Sequence, residues 1–253
     1  MTKTTSKSGI YLYAVVSNSK DRILNLHGID DMPVFTIGNG GVSAVVSKTS
    51  HGAIRPERRK LATHQRVLKQ LMQESTPLPM SFGIIADGPN AVKAILSRNR
   101  DALISQLNRV QEKMEMGLRV SWDVPNIFEY FVHTHQELRE ARDRFFGSQG
   151  EPTQEEKIEL GRMFDRILNE DRESHTERVE EVLSAYCSEI KASRRRNERE
   201  VMNLACLVDR HHESLFVSRV FEAAKLFDDN FSFDYNGPWA PHNFVDIDLK
   251  LEI

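Results

Sequence analysis

The sequence predicts an α+β fold in two domains, the second built on a split β-α-β or ferredoxin-like sheet with a helical extension. Segments rich in aromatic and β-branched residues alternate with segments whose apolar residues recur at helical spacing. With 253 residues, the chain has room for two ordinary domains. Dense mixed charge over residues 153–196 carries narrow apolar stripes, which is typical of helices that lean on a core.

The chain begins with strand patterns. Residues 10–16 (IYLYAVV) predict a buried strand because aromatic and β-branched residues dominate them. Residues 20–26 predict a short helical turn. Two further strands, over 34–37 and 42–47, flank the cluster at 38–41 (GNGG), whose glycines supply the positive φ angles of a hairpin loop. The cluster lacks the third glycine of a dinucleotide-binding loop, and a strand follows it instead of a helix.

Residues 61–74 predict an amphipathic helix, and a stiff apolar segment over 76–85 (TPLPMSFGII) follows it. Pro77 and Pro79 have no backbone N–H and favour extended geometry before them, so the helix must end here. An apolar run over 82–85 has the length of a short strand. Apart from one serine and one threonine, the segment carries no group suited to catalysis. It therefore indicates packing or recognition.

The remaining elements alternate in the same way. One long helix is predicted over residues 90–114, with its apolar residues on one side. A turn-rich patch of glycine, serine and proline near residue 150 separates the later helices. Beyond residue 114 we expect strands over 117–122, 201–208 and 231–235, helices over 127–146 and 215–227, and a helical hairpin within 153–196.

These elements suggest a division of the chain. We expect a disordered lead-in over residues 1–9, because they are polar and lack an apolar segment behind them. An N-terminal α+β domain is expected over 10–115 and a C-terminal domain over 116–253. The helical extension of the second domain is expected around residues 150–197.

Composition excludes several classes of protein. A net charge of −3 and a pI near 6.3 argue against a nucleic-acid-binding protein, which usually has a basic balance or stripe. No window approaches the roughly 18 apolar residues of a membrane span, and the N-terminus is not a signal peptide. Cys187 and Cys206 lie in apolar segments without metal-ligand spacing. A reduced cytoplasm is the expected setting, although a disulfide between them stays open.

The histidines predict no metal site and no cofactor. His133 and His135 are two residues apart in a predicted helix, so they point to different faces and do not chelate one metal ion. His64 lies on the same side of its predicted helix as Leu61 and Leu68, so we expect it at the edge of the core.

Two clusters of charged residues lie close to predicted helix ends. Residues 211–213 (HHE) begin a predicted helix directly after a strand, and we expect Asp209 or a neighbour to cap that helix. The alternative is an acid or base at this corner, in an enzyme or small-ligand sensor on a ferredoxin-like scaffold. The run at 194–196 (RRR) precedes Glu198 and Glu200, so we expect a solvated helix end. No nucleophile elbow, phosphate loop or paired carboxylate motif is present.

A second rigid segment, residues 235–245 (YNGPWAPHNFV), surrounds an indole with glycine and two prolines. Such a turn can present Trp239 as a large apolar ring at the surface. The alternative, which we favour, is that Trp239 folds back to close its own core.

An ordered set of blocks resembles the gas vesicle protein F/L family (GvpF/GvpL). YLYAVV at 11–16 resembles the opening strand of the family, and GVSAVVS at 41–47 resembles its second apolar strand. The stretch 61–85 resembles its helix followed by a Leu-Pro-x-x-Phe-Gly segment. EMGLRVSWD at 115–123 resembles the start of its second half, and 235–245 resembles its terminal Gly-Pro-Trp block. The resemblance covers about residues 10–245, but Ala240 and His242 stand where the family has more proline or aromatic character.

The resemblance implies a non-enzymatic accessory or minor structural protein of gas vesicle formation, located in the cytoplasm and associated with the vesicle. It implies two α+β domains, the second a modified ferredoxin-like fold. The implied partners are the main gas vesicle shell protein and other gas vesicle accessory proteins, with no nucleic acid, membrane or cofactor. The residues that we expect to shape or border a protein-binding surface are Leu78, Pro79, Met80, Phe82, Pro238 and Trp239.

Overall fold

The structure, a computed structural model, describes residues 9–17, 21–50, 52–147 and 152–246. They form two compact units. Unit 1 contains the described residues up to Glu115 and those from Gly237 onward, and unit 2 is Met116–Asn236. This differs from the expected second domain over 116–253, because the chain returns to unit 1 after residue 236 and buries Phe244 completely. Of the expected lead-in over 1–9, only Gly9 is described.

An antiparallel sheet forms the centre of unit 1. Its strands lie in the order β2-β3-β4-β1-β5, and β6 pairs with a different part of β1 from β5. Every residue of the first strand is buried, as the IYLYAVV pattern predicts. The elements of unit 1 are β1 (Gly9–Val16), β2 (Ile23–His27), β3 (Pro33–Asn39), β4 (Val42–Thr49), α1 (Arg58–Leu71), β5 (Leu78–Pro79), β6 (Ile85–Ala86), α2 (Pro89–Arg98) and α3 (Arg100–Val110).

The hairpin between β3 and β4 is confirmed. Asn39 pairs with Val42, so the loop consists of Gly40 and Gly41 alone. Their φ angles are 63° and 92°, in the region that glycine adopts without a steric cost. A two-residue loop of this kind matches the twist of the strands that it joins.

The helical turn predicted over residues 20–26 is wrong. Residue 20 lies outside the described residues, and the rest of the segment leads into strand β2. Ile23 pairs with Phe35 and His27 pairs with Pro33, so β2 is an outer strand of the sheet. Backbone hydrogen bonds to β3 therefore stabilise this segment as a strand, and they outweigh its weak local preference for a helix.

The single helix predicted over residues 90–114 is also wrong, because α2 ends at Arg98 and α3 begins at Arg100. Between them, Asn99 has φ −105° and ψ 10°, and its side-chain amide donates to the Ile95 carbonyl at 2.8 Å. Asparagine competes for backbone hydrogen bonds in this way, which favours a helix end. After Val110 the chain turns into a strand that begins at Lys113, four residues earlier than predicted.

Unit 2 contains a sheet of four strands in the order β10-β7-β9-β8, with β8 and β9 antiparallel. Along the chain, its elements run strand, helices, strand, strand, helix, strand. This order supports a ferredoxin-like classification, which stays a prediction. The elements are β7 (Lys113–Trp122), α4 (Ile127–Thr134), α5 (Gln136–Phe146), α6 (Gln154–Ser184), β8 (Cys187–Ala192), β9 (Glu200–Asp209), α7 (Glu213–Ala224) and β10 (Phe231–Trp239).

Two helical predictions in unit 2 need correction. The helix predicted over 127–146 is broken at His135, whose backbone is extended at φ −112° and ψ 113°. The helical hairpin predicted within 153–196 is a single helix of 31 residues, α6, followed by strand β8. The extension expected around 150–197 thus contains an edge strand, because β8 pairs with β9 instead of continuing as a helix. No helix in the described part of the chain is long and apolar enough to cross a membrane.

Candidate partner-binding surface

The segment that follows α1 is attached to the sheet by its backbone. Leu78 pairs with Val15, and the Met80 amide donates to the Tyr13 carbonyl at 2.9 Å. Leu78 and Met80 are buried, with exposures of 0% and 3%, and Pro79 is buried with them. Because Pro79 lacks an N–H, it suits an outer strand where no further strand needs that donor. These three predicted site residues therefore lie beneath the surface and do not line it.

Phe82 lies in a turn that a buried tyrosine holds in place. The Gly83 amide donates to the Tyr11 hydroxyl at 3.2 Å, and Gly83 itself has φ 95°. The half-buried ring of Phe82 meets the rings of Tyr11 and His64 edge to face, with centroids 6.0 and 5.9 Å away. Part of Phe82 is therefore available at the surface on a fixed backbone.

His64 is the buried centre of this cluster, with an exposure of 2%, and not an edge residue as expected. Its Nδ1 lies 2.9 Å from the Tyr11 hydroxyl. The same hydroxyl accepts from the Gly83 amide, so the Tyr11 hydroxyl joins His64 to the backbone of the Phe82 turn. Burial, with a smaller contribution from His242, lowers the pKa of His64 to about 4. The imidazole is therefore neutral near pH 7 and holds the Phe82 turn in place.

A second tyrosine extends the cluster across the sheet. The Tyr13 hydroxyl lies 2.9 Å from Ser47 Oγ and accepts from the Ile29 amide at 2.8 Å. The ring packs edge to face on Tyr11 at 4.8 Å. Burial raises the pKa of Tyr11 to about 12, so both partners of the Tyr11–His64 hydrogen bond are uncharged at physiological pH.

The terminal Gly-Pro-Trp block is attached to unit 1 by a buried carboxylate. Both oxygens of Glu115, which is 7% exposed, accept from Asn243: one from the backbone amide at 2.8 Å and one from the side-chain amide at 2.6 Å. Phe244 next to it is completely buried, and Ala240 is 3% exposed. The Gly237-Pro238 peptide bond is cis.

Trp239 does not close the core, contrary to the alternative that the sequence favoured. Its exposure is 40%, and Pro238 before it is half-buried. The reason lies in the neighbouring residues, since Ala240 and Phe244 fill the core in its place and leave the indole outside. Trp239 is thus one of the large apolar side chains that the described part of unit 1 exposes.

Residues from α1, the Phe82 turn and the terminal block meet around His64. Gln65 Nε2 lies 3.5 Å from His242 Nε2, and Leu61, one turn earlier on α1, is 38% exposed. We call Leu61, Gln65, Phe82 and His242 the α1 surface, to which Trp239 is joined three residues before His242. It combines the apolar side chains of Leu61 and Phe82 with the polar groups of Gln65 and His242 on a rigid frame.

The other candidate clusters take structural roles. Asp209 Oδ1 accepts from the His211 amide at 2.8 Å, so the expected capping residue caps the 3₁₀ turn Arg210–His212 that leads into α7. The N-cap of α7 itself, His212, makes no side-chain cap hydrogen bond. His135 stacks on Phe131 with parallel rings 5.0 Å apart and reaches Asp171 at 3.3 Å, whereas His133 Nδ1 lies 2.6 Å from the Glu129 carbonyl. In the described ranges, no group of three or more His, Cys, Asp or Glu could hold a metal ion.

The arginine run is not the predicted helix end but the exposed connection between β8 and β9. Glu200, which is 2% exposed, accepts from the Arg196 amide at 2.5 Å and lies 3.0 Å from Arg119 Nε. Arg172 donates to the Glu200 carbonyl at 3.1 Å, and burial lowers the pKa of its guanidinium. These contacts organise the end of the unit 2 sheet.

Cys187 and Cys206 do not form a disulfide. The register pairs Cys187 with Val208 and Cys206 with Ile190, so the two side chains are not opposite each other on β8 and β9. Cys206 is completely buried as a small apolar residue, as the sequence predicts, but Cys187, for which burial was also expected, is only half-buried.

The sequence did not identify Tyr11, Glu115 and Asn243 as residues that shape the surface. Glu115 had a signal, since an acidic residue inside an otherwise apolar strand pattern requires a partner when buried. Its partner Asn243 lies 128 residues later, which no local pattern reveals.

The similarity to known proteins covers the whole described part of the chain. Residues 9–246 match the family model described as gas vesicle synthesis protein GvpL/GvpF. The chain is 26% identical to gas vesicle protein F of Dolichospermum flosaquae over 94% of its own length and 98% of that protein. It is 25% identical to gas vesicle protein L1 of Halobacterium salinarum, covering 95% and 92%. The crystal structure of the gas vesicle protein GvpF from Anabaena sp. PCC7120 superposes with a TM-score of 0.84 at 25% identity, over 95% of this chain and 99% of that one.

Proposed function

Because this chain belongs to the gas vesicle synthesis protein GvpL/GvpF family, which ties it to gas vesicle formation, we propose that it binds the apolar main shell protein during assembly. In this role it is a non-enzymatic accessory or minor structural protein. Other gas vesicle accessory proteins are further partners.

The observation that carries the proposal is the exposed apolar surface on a rigid frame. Phe82 is held by the Tyr11–Gly83 hydrogen bond, and Trp239 is held by the anchored segment that follows it. A shell subunit with a large apolar face aggregates unless a partner covers it. Aromatic side chains on a preformed backbone suit that role, because little conformational entropy is lost on binding.

The direct test is co-purification with the main shell protein from cells that express both. We expect Phe82→Ala and Trp239→Ala each to weaken the association at least about tenfold, as truncation of an aromatic anchor does. Phe221→Ala is the matched control, since Phe221 is 59% exposed but belongs to unit 2. Circular dichroism and thermal melting establish that each variant is folded.

Folded Phe82→Ala and Trp239→Ala proteins that bind the shell protein normally would exclude the α1 surface as the contact. If Phe221→Ala weakens binding as much as they do, the contact is not confined to unit 1. Normal vesicles in cells that lack this chain would contradict the assembly role itself.

A further inference from the structure

Unit 1 contains a second apolar surface, separate from the α1 surface. An open groove of about 720 Å³ lies beside α2 on the sheet. Its floor includes Ile23 of β2 with Phe35 and Ile37 of β3, and Pro89 and Lys93 of α2 form one wall. Apolar side chains therefore line a space that the chain itself leaves open in the described residues.

The groove lies on the sheet face opposite Tyr13. The Tyr13 hydroxyl contacts Ser47, and Ser47 pairs with Val34 on β3. Phe35 follows Val34, and successive strand residues point to opposite faces. The groove and the Tyr13–His64 cluster are therefore on different sides of one sheet, so substitutions can separate them.

Strand register explains why the floor is continuous. Ile23 pairs with Phe35, and Phe35 pairs with Val46, which gives one row across β2, β3 and β4. Ile23 is 82% exposed at the outer end of this row. An apolar side chain that protrudes beside an apolar floor on an outer strand indicates a contact surface.

The rim of the groove is basic. Arg22, Lys48 and Lys93 line it together with the carboxylate of Asp21, and Arg22 is paired with Glu74 at 3.2 Å, so the two lysines supply the excess positive charge. Asp21 already accepts from the Gly38 amide at 2.6 Å. The ammonium groups of Lys48 and Lys93 have no carboxylate partner in the described part of the chain.

We propose that this groove binds an amphipathic helix of another protein, whose apolar side covers Ile23 and Phe35 and whose carboxylates meet Lys48 and Lys93. A helix fits because α2 covers only part of this face, and a second helix beside it completes the layer. The basic rim selects carboxylates over other polar groups. The chain's own residues 245–253 (VDIDLKLEI) alternate with period two, the pattern of a strand and not of such a helix.

This proposal does not rest on shell-protein binding, and its test uses a defined probe. A synthetic amphipathic peptide of about 18 residues carries leucine on one face and glutamate beside it, and a counterpart has lysine in place of glutamate. Fluorescence anisotropy measures the binding of each peptide to the full chain. We expect the glutamate peptide to bind at least about tenfold tighter at low salt.

Substitutions then locate the contact. We expect Ile23→Asp to weaken binding of the glutamate peptide at least about tenfold, and the double change Lys48→Glu with Lys93→Glu to reverse the preference between the two peptides. The matched controls are Ile158→Asp and Lys157→Glu on α6, which replace an isoleucine and a lysine that are exposed in unit 2. These controls should leave both affinities unchanged.

Four outcomes would overturn the proposal. Equal affinity for the two peptides, or equal loss in Ile158→Asp, excludes a charge-selective site at the groove. Roughly tenfold tighter binding after truncation behind Asp246 assigns the groove to the chain's own tail. A dimer that Ile23→Asp converts to a monomer in sedimentation assigns it to a second copy. Because Phe82 and Trp239 are intact throughout, none of these outcomes depends on the shell-protein contact.

Discussion

Lowering the pH from about 7.5 to about 4.5 should destabilise unit 1 because His64 is buried in its neutral form. Burial and His242 lower the pKa of His64 from 6.5 to about 4. Between these two values, the unfolded chain binds a proton at this position and the folded chain does not. The stabilisation is therefore complete above pH 6.5, is lost as the pH falls toward 4, and changes no further below that.

The expected loss follows from proton linkage. A shift of one pKa unit corresponds to about 1.4 kcal/mol, and at pH of about 4.5 most of the shift of His64 has taken effect. The contribution of this one residue to the loss of unfolding free energy is then about 2.5 kcal/mol. Such a change is large compared with the net stability of a domain.

The assay is urea unfolding at the two pH values, comparing the parent chain with His64→Leu. The chain has two tryptophans, so a Trp122→Phe background leaves Trp239 as the indole that reports on unit 1. Other groups also titrate in this range, and the difference between the two pH dependences isolates His64. His211→Leu is the control, because His211 is exposed in unit 2.

We expect the parent and His211→Leu to lose about 2.5 kcal/mol more than His64→Leu on acidification. If all three proteins lose the same amount, His64 is not buried as a neutral imidazole. The account of the Phe82 turn would then fail with it, since His64 and Tyr11 would not form the uncharged pair that holds the turn.

Two further predictions concern buried carboxylates. Glu115→Ala and Asn243→Ala should each lower the free energy of unfolding by about 2 kcal/mol. Because the two residues bond to each other, the double variant should lose clearly less than the sum of the two single losses. Additive losses in urea unfolding would contradict the Glu115–Asn243 contact. Glu200→Ala should cost about 3 kcal/mol because it leaves the Arg119 guanidinium without its buried partner. Thermal melting should show this loss. The control Glu198→Ala, at an exposed position, should change the stability by less than about 0.5 kcal/mol. Equal changes in melting temperature for the two variants would exclude a special role for Glu200.

Local chemistry made several elements predictable. Gly40 and Gly41 specify the hairpin because their φ angles are unfavourable for other residues. The strand over residues 10–16 is buried on both sides, so its composition is apolar throughout. The cap at Asp209 was also predictable from local chemistry, because a short carboxylate accepts a hydrogen bond from the amide two residues later.

The wrong predictions concern segments whose secondary structure has no strong local signal in the sequence. Neither Asn99 nor His135 is a glycine or a proline, so neither helix break has a strong signal in the sequence. Strands β2 and β8 lie at sheet edges, where pairing with β3 and β9 overrides weak helical patterns.

The same limit applies to the partner-binding surface. The apolar composition of residues 76–85 could not show that Leu78 and Met80 face the core while Phe82 reaches the surface. Burial depends on the sheet that the segment joins, and β1 lies more than 60 residues earlier.

The route of the chain has a consequence for biosynthesis. Unit 1 needs residues from Gly237 onward, including Phe244 in its core and Asn243 on Glu115. A ribosome therefore completes the whole of unit 2 before unit 1 can close. Until then, the nascent chain exposes the apolar place that Phe244 will fill, and exposed apolar surface of this kind favours aggregation of an incomplete fold.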